Sequence, residues 1–146
     1  MSQRTLDAEL SALIANLSPI SQRTLTRTIA MELRRRQKKR IGQQQNPDGS
    51  AYAPRKHLRD REGNLRGKMF DKLRTAKYMK AQSNQHEAVV TFTNRVMNLA
   101  NVHQYGLRDR VSLRGKAVKY TQRELLGFAD QDIAWIKERI IEQLAR

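Results

Sequence analysis

Between Ser18 and Gly42 the chain carries one long helical pattern with a narrow apolar stripe and a cationic end. Ser18 suits an N-cap, and Pro19 suits the first helical position, where a missing N–H is no loss. Leu25, Ile29 and Leu33 recur every fourth residue, with Ala30 beside them. The pattern runs on through Arg34, Arg35, Arg36, Gln37, Lys38, Lys39 and Arg40 to Ile41, where Gly42 offers a stop. At ~1.5 Å per residue such a helix is about 35 Å long. Ahead of it, Leu6, Leu10, Leu13, Ile14 and Leu17 mark an amphipathic helix, so residues 1–43 read as a helical hairpin.

The remaining chain changes character three times. Residues 44–67 form an extended basic loop that opens on Asn46-Pro47-Asp48-Gly49-Ser50, dense turn chemistry. Roughly 25 residues without a periodic pattern mark a functional or mobile segment. Residues 68–129 hold a short helical piece with Met69, Phe70 and Leu73, then strands at Tyr78–Gln82 and Ala88–Phe92. A helical stripe of Val96, Leu99, Ala100, Val102 and His103 stops at Gly106, and a basic arm follows around Gly115. Residues 130–146 are a helix with Asp130 as N-cap and a buried face of Ile133, Ile136, Ile140 and Leu144, Ile141 alongside. The order predicts one α+β domain with a small antiparallel sheet.

The formal net charge is +15, from 29 Lys+Arg and 14 Asp+Glu. The last 24 residues depart from this, with four basic and five acidic side chains. A surface divided in this way suits a protein meeting two differently charged neighbours, and an ordinary solvated helix explains the tail equally well. There are no cysteines, which excludes disulfides, thiolate metal sites and a cysteine nucleophile. No apolar run approaches the roughly 20 residues of a membrane span. The N-terminal residues lack a secretory h-region, so synthesis in the cytoplasm is expected and no membrane partner is implied.

Catalytic and cofactor patterns are missing. His57, His86 and His103 are scattered, without metal-ligand spacing, and no glycine motif cradles a phosphate. His103 reads as a packed, hydrogen-bonded histidine near a helix end. The cations Arg34, Arg35, Arg36, Lys38, Lys39 and Arg40 point around almost two helical turns. Three readings fit them: a solvated cluster complementing the helix dipole, contact with nucleic-acid phosphates, or contact with an acidic protein surface. Recognised nucleic-acid modules are absent, so a small basic protein binding nucleic acid without sequence preference is the second reading of the whole chain.

Four stretches together resemble a known family: the Leu25–Gly42 helix; Asn46 to Lys56, with Pro47-Asp48-Gly49 and Pro54-Arg55-Lys56; Ala100 to Gly106; and Tyr120 to Phe128, with Arg123-Glu124-Leu125-Leu126-Gly127. Their order and spacing resemble the tail completion or virion morphogenesis proteins of contractile-tailed temperate and Mu-like bacteriophages. Tyr52 stands where the family often has Trp, and Thr121 where a Pro commonly precedes the Arg.

The resemblance implies a non-enzymatic virion component at the head-proximal tail end or neck, assembled in the bacterial cytoplasm, without cofactor or metal. It implies a ring subunit, most simply a hexamer, that completes the tail and enables its joining to the head. Its partners would be the tail terminator, the tail tube end, and head-completion or connector proteins, with nonspecific contact to packaged DNA. Arg55, Lys56, Arg59 and Arg61 in the first arm and Arg108, Arg110, Arg114 and Lys116 in the second are then the expected docking cations. In the Arg123–Gly127 motif, Leu125 and Leu126 are expected to pack and Gly127 to relieve the backbone.

Overall fold

In the computed structural model, which describes residues 12, 14–55, 68–110 and 114–145, helix α1 (Pro19–Gly42) is the element against which the others are laid. Ser18 caps it, its hydroxyl accepting the Ser21 N–H at 3.2 Å, and Pro19 sits in the first turn. The far end departs from expectation. Gly42 stays helical with the Arg74 guanidinium against it, and Gln44 takes the left-handed conformation (φ 58°) that turns the chain away. The first helix of the expected hairpin falls mainly outside the described residues, as do Lys56, Arg59 and Arg61. Ile14 and Leu17 are described, and both pack against the side of α1.

Strands β1 (Met79–Ser83) and β2 (Ala88–Phe92) form an antiparallel hairpin, Met79 opposite Phe92 and Ser83 opposite Ala88. The Asn84 side chain accepts the N–H groups of His86 and Glu87 and so closes the turn. Helix α2 (Asn94–Tyr105) ends on Gly106 at φ 64°, a conformation natural to glycine. A Cβ there would also meet the Gln122 backbone at 3.1 Å. Strands β3 (Arg108–Arg110) and β4 (Ala117–Lys119) make the basic arm a second two-stranded ribbon. Helix α3 (Asp130–Leu144) closes the fold.

Two apolar clusters lie along α1. One gathers Ile41, Tyr52, Leu73, Met79, Phe92, Ala100 and Leu125; the other gathers Leu25, Ile29, Leu33 and Ile140. Val90 of β2 packs against both, which joins them into one continuous interior. Polar side chains tie the hairpin to the helix: Arg34 donates to the Met79 carbonyl at 2.9 Å and Gln85 to Gln22 at 2.7 Å.

Three expectations are corrected. Residues 69–78 are a chain of turns, not a helical piece. Phe70 is left-handed (φ 65°), and the Gln44 amide binds both the N–H and the carbonyl of Met69, replacing the bonds of a helix start. Asp130 is not the N-cap of α3; Ala129 is, and the Asp132 carboxylate accepts its N–H at 3.0 Å. Ile141 is 61% exposed, and Trp135 packs instead against the second cluster.

Leu125 lies outside any helix or strand and is completely buried. Leu125→Ala is expected to cost about 2–5 kcal/mol of stability, measured as a lower urea midpoint with little change in slope.

Candidate functional site

The Arg-Glu-Leu-Leu-Gly motif is an irregular segment pressed into the interior, where its backbone polar groups need partners. Side chains supply them. The Gln104 amide oxygen accepts the N–H groups of Leu125 and Leu126 at 2.8 and 2.9 Å, and its Nε2 donates to the Leu126 carbonyl at 2.8 Å. Arg40 Nη2 donates to the Leu125 carbonyl at 2.7 Å and Nη1 to the Glu124 carbonyl at 3.1 Å. The Asn46 amide accepts the Glu124 N–H at 2.9 Å, and Gln37 accepts that of Gly127 at 3.1 Å.

The Pro-Asp-Gly turn is built into the same junction. Asp48 accepts the Ser50 N–H at 2.8 Å, Gly49 has φ 91°, and Pro47 lies against Gly127. A Cβ at Gly127 would sit 2.5 Å from the Pro47 ring. Close approach of a rigid ring, rather than the expected backbone relief, therefore calls for glycine there. Beyond the turn, the Tyr52 hydroxyl donates to the Glu124 carbonyl at 2.8 Å. Burial pushes its pKa up, against the nearby Arg40, so the phenol keeps its proton. Arg123 donates to the carbonyls of Ala53 and Pro54 at 2.8 and 2.9 Å. The loop expected to be an arm is thus folded onto the body as far as Pro54.

The cationic run on α1 divides by position. Arg40 is buried, bonded to Gln37 and three carbonyls, and is withdrawn from the expected docking surface. Arg36 is half-buried: it bridges Glu32 and Asp132 at 3.1 and 3.3 Å and lies 5.3 Å from the Trp135 ring centroid. Arg34 is spent on β1. Arg35, Lys38 and Lys39 face outward, as do Arg108, Arg110, Arg114 and Lys116 on the ribbon. Arg55 is partly buried. Burial and then the neighbouring Arg55 lower the Arg123 pKa.

An open cleft of about 740 Å³ runs between the end of α1, the Pro-Asp-Gly turn and the start of α3. Its lining includes Arg35 and Lys39 of α1, Asp48 of the turn, Asp130 of α3 and Phe128, which is 57% exposed. Nothing in the sequence periodicity marked Gln104, Asn46 or Phe128. Gln37 did leave a signal, because it continues the four-residue spacing of Leu25, Ile29 and Leu33 and is buried like them.

His103 stacks edge-on between Phe70 and Tyr120, with centroids 4.8 and 5.1 Å away. It is packed as expected, but its buried Nδ1 has no hydrogen-bond partner among the described residues. Among these residues no group of three or more His, Cys, Asp or Glu is placed to hold a metal ion, and no helix is long and apolar enough to cross a membrane.

Two outcomes follow from this geometry. Arg40→Met removes the guanidinium from the Gln45 and Leu125 carbonyls and leaves Glu124 with Tyr52 alone; it is expected to cost about 3 kcal/mol or more, whereas exposed Lys39→Met costs within about 0.5 kcal/mol, both by urea unfolding. Burial, and then the positive Arg123, lower the His103 pKa from its ordinary 6.5. The unfolded chain therefore binds the proton first, so stability is complete above pH 6.5 and falls as pH drops through 6.5 toward the lowered folded value. His103→Phe is expected to flatten that loss in melts compared across this window.

The chain matches the phage virion morphogenesis family over residues 1–145. It is 35% identical over 146 residues to the tail completion protein S of Escherichia phage P2, an alignment covering 98% of this chain and 97% of that protein. No solved structure matches it. With a match over nearly its whole length, the chain belongs to the phage virion morphogenesis family.

Proposed function

We propose that this protein is a structural subunit that completes the phage tail at its head-proximal end or neck and enables the tail to join the DNA-filled head. The observation that carries this reading is the nearly end-to-end similarity to a tail completion protein. In this role it has no catalytic activity, cofactor or metal. It forms a ring, most simply a hexamer, within the virion after assembly in the host cytoplasm. Its neighbours are the tail terminator, the tail tube end and head-completion or connector proteins.

The surface supports such a role. Lys38 and Lys39 near the end of α1, beside Arg35 paired with Glu32, and Arg108, Arg110, Arg114 and Lys116 on the ribbon give two outward cationic sites. Cations of this kind orient docking in a salt-dependent way. The ribbon also presents charge suited to phosphates, and nonspecific contact with DNA passing the neck is a secondary role of the same residues.

Particles assembled without the protein are expected to appear by electron microscopy as full heads beside separate, unjoined tails. Normal infectious particles would overturn the proposal. Steep salt-dependent duplex binding by a persistent monomer would instead favour the nucleic-acid reading.

A further inference from the structure

We infer that the groove at the root of the β3–β4 ribbon receives helix α3 of a second copy of this chain, joining copies head to tail. This deepens the ring reading above and rests on it. The groove, about 350 Å³, is lined by Tyr105, Gly106, Lys119, Tyr120, Thr121 and Gln122. Tyr105 is 63% exposed and the adjoining Leu107 45%. Arg108 and Lys119, opposite each other in the ribbon, stand exposed beside them. An exposed Tyr flanked by Arg has the composition of an interface centre.

The complementary surface lies on α3. Ile141, 61% exposed, sits between the exposed carboxylates of Glu138 and Glu142. An apolar side chain flanked by two anions matches a tyrosine-lined groove that carries the paired cations Arg108 and Lys119 on its ribbon side. The competing partner within the chain, Arg139, pairs with Glu142 at 3.0 Å in a solvent-exposed bridge of little strength. The two surfaces belong to different parts of the molecule. Ile140, next to Ile141, packs with Leu25 and Ile29, whereas the ribbon leaves from Gly106 beside the Tyr120–His103 stack. A patch that fits a different patch on the next copy makes a heterologous contact, which repeats until it closes.

The absence of cysteine makes the test clean. Leu107→Cys and Ile141→Cys are combined in one chain, and both purified protein and assembled tails are mildly oxidised. Non-reducing gels are expected to show a ladder of successive multiples, whereas either single variant gives none. Glu138→Lys/Glu142→Lys is expected to weaken self-association by about tenfold, and adding Arg108→Glu/Lys119→Glu to the same chain to restore it. No ladder in protein or tails, although microscopy shows a ring, overturns this interface and leaves the ring reading standing. A single dimer band also overturns it. Tails that lack any ring of this protein overturn both.

Discussion

The buried guanidinium of Arg40 and the amide of Gln104 do for residues 124–126 what a neighbouring strand does for an edge strand. Between them they bind the carbonyls of Glu124, Leu125 and Leu126 and the N–H groups of Leu125 and Leu126. Only a segment with its backbone satisfied can carry Leu125 to the centre of the larger cluster. The charge of Arg40 is spread over four oxygen acceptors, which is how a cation so deeply buried is tolerated.

The rest of the arrangement follows from that junction. Gln37, one turn before Arg40, binds Gly127, and Pro47 packs on the same glycine. The chain then leaves toward α3, where Asp132 both caps the helix and meets Arg36. One face of the final two turns of α1 therefore organises the turn at residues 46–50, the anchor at 123–127 and the start of α3. The N-terminal half of α1 has the simpler task of packing Leu25, Ile29 and Leu33 against Ile140. A narrow apolar stripe suffices for so long a helix because polar side chains extend it.

Elements with a strong period were legible in the sequence: the long helix, the Ala88–Phe92 strand and the last helix appear where the spacing puts them. The junction was legible only as a motif. Its bonds link residues from 21 to 90 positions apart, and no local pattern records which glutamine reaches which carbonyl. Ile141, set alongside the buried face by apolar character alone, is exposed because a helix face is set by rotation, while Trp135 packs against the smaller cluster. The cationic run was ambiguous for the same reason: seven consecutive residues face every direction, and burial, invisible in composition, separates Arg40 from Lys38 and Lys39.

The long reach of the Arg123–Gly127 contacts also sets an order of events in time. Arg40, Asn46, Tyr52 and Gln104 all leave the ribosome before the segment they bind, so their pairing groups wait in water until residues 124–126 arrive. Closing loops of this length is slow compared with forming a helix or a hairpin. The larger cluster is sealed only when Leu125 enters it, and the smaller only when Ile140 does. The region that presents Ile141 is therefore built after the interior it rests on, and its surface is finished only once both clusters are closed.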